Sequence, residues 1–129
     1  FMAAQAADVL FRLFDAWKGG DVDAYVACFA DTFASAHPLG STTQHSHIRK
    51  EIERVVEHWQ DREYRILEEI TQGDTVAVEY EMSMTGAGRG FEGRITLPGL
   101  ALATIHKDRI VRYREEFDPR VVLAARMGE

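Results

Sequence analysis

"HIRKEIERVVEHWQDREYRILEEITQGDTVAVEYEMSM", residues 47–84, changes its period half-way along, and that change decides the fold. Before Asp61, Ile48, Ile52, Val55, Val56 and Trp59 recur at helical spacing, with Arg49, Lys50, Glu53 and Glu57 on the other side. After Asp61 the spacing drops from 3.6 to 2, which marks a switch from helix to strand. Tyr64, Ile66 and Ile70 alternate with polar residues up to the turn signal Gly73-Asp74. The strand beyond it is the clearest of the chain: Val76, Val78, Tyr80, Met82 and Met84 share one face, and Glu79, Glu81 and Ser83 the other.

Upstream, Val9, Leu10, Leu13, Phe14 and Trp17 predict an amphipathic helix that Gly19-Gly20 stop. Asp21 is a good N-cap for a second, short helix burying Val22, Tyr25, Val26 and Phe29. Residues 30 to 45 lack a period. The helix of the opening stretch then starts after Ser46. Downstream, "GAGRG" at 86–90 turns the chain, and Phe91 to Ile105 reads as a long strand interrupted at Pro98-Gly99, a bulge or kink near a sheet edge. "HKDR" makes the last turn before a final strand from Ile110 to Phe117, and a short helix or tail ends at Gly128. Three helices followed by four antiparallel strands is an α+β pattern, with the helices on one face of the sheet. A strongly curved sheet would leave a cavity between itself and those helices.

The chain has 129 residues, 46% of them hydrophobic, which suits one core and therefore one domain, residues 2–129. Phe1 before Met2 is read as an appended residue and set aside. Fifteen Lys and Arg stand against 21 Asp and Glu, a formal charge of −6, and no basic cluster forms a phosphate-binding stripe, which argues against a nucleic-acid partner. No apolar run approaches a membrane span, and no charged start followed by an apolar stretch suggests a signal peptide. The single Cys28 cannot staple the fold and fits a reducing compartment, so a cytoplasmic location is expected.

In order, "GGDVDAYVACFAD", "HPLGS", "HIRKEIERVVEHW", "EEITQGDTVAVEYEMSMTG" and "GLALATIHKDRIVRYREEFD" resemble the SnoaL-like domains. These belong to the superfamily with the nuclear transport factor 2-like fold, which also holds ketosteroid isomerase, limonene-1,2-epoxide hydrolase and the polyketide cyclases. The resemblance runs from about Val9 to Gly128. It implies a cone made of three helices and a curved sheet, an apolar pocket inside it and a homodimer outside. Since this fold hosts enzymes, binders and interaction modules, it does not fix a reaction.

The resemblance also implies roles. Ketosteroid isomerases carry an Asp-Pro-hydrophobic-Gly motif after the second helix whose Asp is the general base; the matching residue in "HPLGS" is His37. Where their oxyanion hole has a Tyr and a protonated Asp, this chain has Leu13 or Phe14 and Ala101. Epoxide hydrolases of this fold place an acid catalyst on the last strand, and "YREEFD" puts Glu115 there, on one face with Tyr113 and Phe117. Polyketide cyclases use an acidic residue near Asp118.

Each of these residues has a second reading. His37 can close a turn on a backbone group or move a proton, since an imidazole titrates near neutrality. Glu115 between apolar walls should hold its proton to higher pH, or else it pairs with an arginine such as Arg94 or sits wet at the mouth. Asp118 before Pro119 suits the N-cap of a terminal helix. His45 and His47 lack a third ligand nearby, so no metal is expected. His58 and His106 are expected to face solvent. Trp17, Trp59, Val78, Tyr80, Met82, Ala101, Ala103, Tyr113 and Phe117 are core residues of which, in a cone, some become the substrate-binding wall. The small Ala101 and Ala103 favour a cavity there.

Two functions follow as expectations. One is an acid/base enzyme without metal or organic cofactor, acting on a small apolar cyclic or carbonyl metabolite. In it His37 and Glu115 move protons, with Asp118 in reserve, and Tyr80 or Tyr113 orients the substrate. The other is a binding or dimeric interaction module of the same fold, with Leu100 and Leu102 on the outer sheet face as its contact.

Overall fold

A computed structural model of the chain describes residues 2–86 and 93–127, and the side chains of 6–86 and 93–123. Its elements run α1 (Met2–Gly19), α2 (Val22–Ala27), β1 (Phe29–His37), β2 (Gly40–Thr42), α3 (His45–His58), β3 (Trp59–Gln72), β4 (Thr75–Gly86), β5 (Arg94–His106), β6 (Arg109–Phe117) and α4 (Pro119–Met127). The expected α+β architecture stands: N-terminal helices pack on one face of a curved sheet.

Six strands form that sheet, in the order β2-β1-β6-β5-β4-β3, and not the four expected. The two additional strands lie in the segment that had shown no period. Along β1 only Phe29, Phe33 and Ser35 are buried, and a register shift falls between Phe29 and Ala34. That irregularity, with small and polar residues between, hides the alternation. The β1–β6 pairing is parallel, while the others are antiparallel.

Local signals act as the residue types dictate. The Asp21 carboxylate accepts from the Ala24 N–H at 3.0 Å and starts α2. Phe29, assigned to that helix from its spacing, opens β1, and Trp59, assigned to the third helix, opens β3. The hairpin at "GAGRG" lies largely outside the described residues, but the Gly86 N–H donates to the Gly93 carbonyl at its base. Lys107 and Asp108, both with positive φ, make the turn before β6.

Of the bulge or kink expected at Pro98-Gly99 near a sheet edge, the bulge is absent: β5 is an inner strand and pairs with β4 through both residues without a shift. Strand β6 ends where Phe117 faces Gly99, so Pro98 has only β4 beside it and its missing N–H breaks no bond on that side. Gly99 is needed for space. A Cβ there would stand 2.3 Å from the Tyr80 hydroxyl, because the Tyr80 ring lies across it.

The core gathers between α1 and the inner faces of β3–β6. Leu10, Leu13 and Phe14 of α1 meet Val76, Val78 and Tyr80 of β4 and Ala101 and Ala103 of β5, all buried. Phe14 packs edge-on against both Tyr64 and Tyr80, at centroid distances of 5.3 and 5.5 Å. Arg62 ties the end of α1 to the start of β3, donating to the Trp17 carbonyl at 2.7 Å, the Trp59 carbonyl at 2.5 Å and the Lys18 carbonyl at 3.3 Å. The Trp17 and Lys18 carbonyls belong to the last turn of α1, where intrahelical N–H donors run out.

Candidate active site

The sheet, α3 and the Phe14–Trp17 end of α1 enclose a cavity of about 730 Å³. This volume is in the range of small-molecule sites. Ile48, Ile52 and Val55 of α3, Phe14 and Trp17 of α1, Trp59, and Met82, Met84 and Leu97 of the sheet make an apolar wall. Polar groups enter it from two adjacent strands. On β1, His37 has the same parity as Phe33 and Ser35 and points inward. On β6, Tyr113, Glu115 and Phe117 share the inner face. The parallel register pairs Ser35 with Tyr113 and Ala36 with Arg114, so the next residues, His37 and Glu115, come level. Two residues far apart in sequence thus meet on one wall.

His37 has both nitrogens engaged. Nε2 lies 2.8 Å from Glu51 Oε2, and Nδ1 accepts from the Leu39 N–H at 3.1 Å. An acceptor at Nδ1 fixes the neutral tautomer with its proton on Nε2, donated to Glu51. The hydrogen bond to Glu51 and its negative charge raise the imidazole pKa against an opposing effect of burial, with Glu115 adding to the rise. The ring stacks on Phe117 at 6.3 Å. His37 therefore does close a turn, through Leu39, and it also faces the cavity.

Glu115 sits between two phenols. Tyr80 donates to its Oε2 at 2.5 Å, and the Tyr113 hydroxyl bonds the same carboxyl. Burial pushes the Glu115 pKa up, while the two phenols and the His37 charge pull it back; the net direction is upward. Burial and the Glu115 charge in turn push both Tyr80 and Tyr113 well above the ordinary phenol value. The alternative arginine partner is elsewhere: Arg94 donates to the Asp61 carbonyl at 2.9 Å and to Thr85 Oγ1 at 3.1 Å.

Of the wall residues expected from the sequence, Trp17, Trp59, Met82, Tyr113 and Phe117 line the cavity. Val78, Ala101 and Ala103 do not; they lie under α1, whose side chains fill the space that the two alanines leave. Tyr80 is fully buried and reaches the site only through Glu115. Asp118 is outside the cavity lining. Its carboxylate accepts from the Arg120 N–H at 2.9 Å at the start of α4 and pairs with the Arg120 guanidinium, which holds its pKa down to about 2. His58, expected to face solvent, lines the mouth instead, while His106 is exposed. Among the described residues no cluster of His, Cys, Asp and Glu could hold a metal ion.

Glu51 was missed in the sequence. The signal was there: Ile48, Ile52 and Val55 define an apolar stripe, and Glu51 lies in it, three residues after Ile48 and four before Val55. A carboxylate inside an apolar stripe needs a partner, and His37 is that partner.

The family model described as the SnoaL-like domain matches residues 10–113. The chain belongs to the SnoaL-like domain family. Solved structures agree on the fold of this SnoaL-like domain. A candidate SnoaL-like polyketide cyclase from Jannaschia sp. CCS1 aligns with a TM-score of 0.81 at 19% identity, covering 96% of this chain and 92% of that one. An LEH-like epoxide hydrolase from M. tuberculosis aligns at 0.76 and 15%, covering 95% and 90%. A protein with a ketosteroid isomerase-like fold from Catenulispora acidiphila, solved with trimethylamine, aligns at 0.76 and 18%, covering 91% and 90%. No curated protein sequence matches the chain. At these identities the SnoaL-like domain shares its fold with the three, and its reaction has to be argued from its own residues. No helix of the described residues is long and apolar enough to cross a membrane.

Proposed function

We propose that this SnoaL-like domain is a small-molecule enzyme that works by acid/base catalysis, of isomerase, polyketide cyclase or epoxide hydrolase type, on an apolar cyclic or carbonyl metabolite. One observation carries the reading: two different ionisable assemblies, His37 with Glu51 and Glu115 with Tyr80 and Tyr113, face one mostly apolar cavity. Environments that treat titratable groups differently are how one site holds both a base and an acid.

His37 and Glu51 act as the base. A proton taken from substrate goes to Nδ1, which gives up the Leu39 N–H, and the imidazolium is held by Glu51 through Nε2. Glu115 acts as the acid, donating its proton to a carbonyl or epoxide oxygen as negative charge develops there. In an isomerisation both protons are returned, so no oxidant or co-reactant is needed, and the reading requires no metal or organic cofactor. Glu115 faces Ala101 across the β5–β6 register, which supports a reading in which its carboxyl replaces the one that isomerases carry at the Ala101 position.

Turnover of a panel of ketones, epoxides and polyketide-like rings tests the assignment. His37→Ala and Glu115→Gln should each lower kcat by about a hundredfold. Unchanged turnover in both variants overturns it. A second reading, ligand binding without turnover, is favoured by the engagement of both phenols with Glu115, which leaves neither free for a substrate oxygen. Saturable binding with no turnover across the panel would select it.

The same proposal extends to a homodimer through the outer sheet face. Ile70, Ala77 and Leu102 form one row across β3, β4 and β5, and Ile70, Leu100 and Leu102 are exposed at 61%, 54% and 42%. Size-exclusion with light scattering should give twice the chain mass; a monomer across micromolar concentrations overturns it.

A further inference from the structure

The cavity is not uniform from floor to mouth. Its floor, the buried part of the lining, holds Trp17, Trp59 and Tyr113 with Glu115 half-buried beside Tyr113, while the exposed lining at its mouth includes His47, Lys50 and Arg54 of α3, followed one turn on by the half-buried His58. Lys50 and Arg54 are exposed, and among the described residues neither has a carboxylate within ion-pair distance. Two cations four residues apart on one helix repel each other, although Glu51, Glu53 and Glu57 each lie within three residues of one or the other.

His47 adds a polar ring beside the two cations. Thr42 Oγ1 accepts from the Gln44 N–H at 3.0 Å and lies 2.8 Å from His47 Nδ1. A hydroxyl oxygen keeps a second lone pair, so this contact anchors the His47 ring at the mouth in either tautomer. The first turn of α3 has no acidic side chain to offset the positive end of the helix.

We propose that the mouth is an anion subsite in which Lys50 and Arg54 take the carboxylate of a substrate whose apolar body lies against Trp17 and Trp59. This names the substrate class for the reaction proposed above and rests on that reading for its use in catalysis. The substrate is an amphiphilic organic acid that enters with its apolar end first. Its charge stays at the rim, where water and the two cations meet it, and its reacting oxygen or C–H reaches the floor. An orientation of this kind keeps a carboxylate away from Glu115, whose negative charge would repel it.

The test is binding of 4-cyclohexylbutanoate and of its methyl ester, read from the fluorescence of Trp17 and Trp59. These are the only tryptophans of the chain, and both line the cavity. The acid should bind about tenfold tighter than the ester in low salt, and Lys50→Ala/Arg54→Ala should abolish that preference without weakening the ester. Both residues are exposed, so the double variant should fold, which its circular dichroism checks. Equal affinity of acid and ester overturns the proposal. So does a preference that survives the double variant and disappears in His37→Ala, because the carboxylate would then sit at the floor. Sodium acetate at the same concentrations should not compete; competition would make the mouth a site for free small anions and overturn the substrate assignment. Acid binding that depends on Lys50 and Arg54 but leads to no turnover supports the subsite and counts against the enzyme reading alone.

Discussion

Nε2 of His37 lies 2.8 Å from Oε2 of Glu51, although one residue ends a strand and the other lies within a helix. The contact converts a turn histidine into half of a proton-handling pair. It sets the tautomer, raises the imidazole pKa and leaves Nδ1, held only by the Leu39 N–H at 3.1 Å, as the nitrogen that can accept a proton.

The pair should behave as a unit. Glu51→Gln is expected to lower kcat nearly as far as His37→Ala, and the double variant should lose little more than either single one. Additive losses in the double variant would show that the two residues act separately.

The His37 titration should respond to its partner. Because its folded pKa is raised, the stability it contributes is fully present below its unfolded value near 6.5 and is lost as pH rises through the folded value. Glu51→Gln should therefore lower the imidazole pKa seen by NMR and shrink this loss. Protonation of Nδ1 also frees the Leu39 amide, whose hydrogen exchange should quicken below that pKa.

Glu115 obeys the same sign for a different reason. Burial raises its folded pKa, so it opposes stability increasingly as pH climbs from its ordinary 4.5 through the folded value. The Tm of Glu115→Gln relative to the parent should rise across that window in calorimetry. Tyr80→Phe removes a donor to the carboxylate and should push the Glu115 pKa higher still, moving the corresponding limb of a pH–rate profile upward.

Gly99→Ala is expected to disturb the site without touching the cavity. The new Cβ would collide with the Tyr80 hydroxyl and ring. Overpacking of this kind costs about 1–3 kcal/mol, and it should displace Tyr80 from Glu115. Urea unfolding checks the first effect and the pH–rate profile the second; a stability and a profile identical to the parent would refute both.

Arg62→Ala should cost about 2 kcal/mol in urea unfolding, since it removes a cation that bonds three carbonyls where α1 ends and β3 begins. Gly20→Ala should also destabilise: its φ is +71° and its Cβ would stand 2.7 Å from the Arg62 guanidinium.

The sequence by itself determined the parts that depend on period and on local chemistry. A sustained 3.6 spacing means a helix with one apolar stripe, and a sustained alternation means a strand with one apolar face, wherever these segments come to lie; α1, α3 and β4 were legible for that reason. Asp21 and Asp118 were legible as caps because a short carboxylate reaches only its own neighbouring amides. The inward face of Glu115 followed from its parity with Tyr113 and Phe117. Tertiary structure decided what depends on long-range register. Strand β1 was hidden by its irregular burial, and its parallel pairing with β6 is what brings His37 level with Glu115. Only the packing of α3 across the sheet gives His37 the carboxylate of Glu51. Only the position of α1 decides that Val78, Ala101 and Ala103 are filled core while Met82 and Trp59 are cavity wall. Spacing along the chain says which way a side chain points from its own element; which side chain it meets is set by the element packed opposite, and no local pattern encodes that.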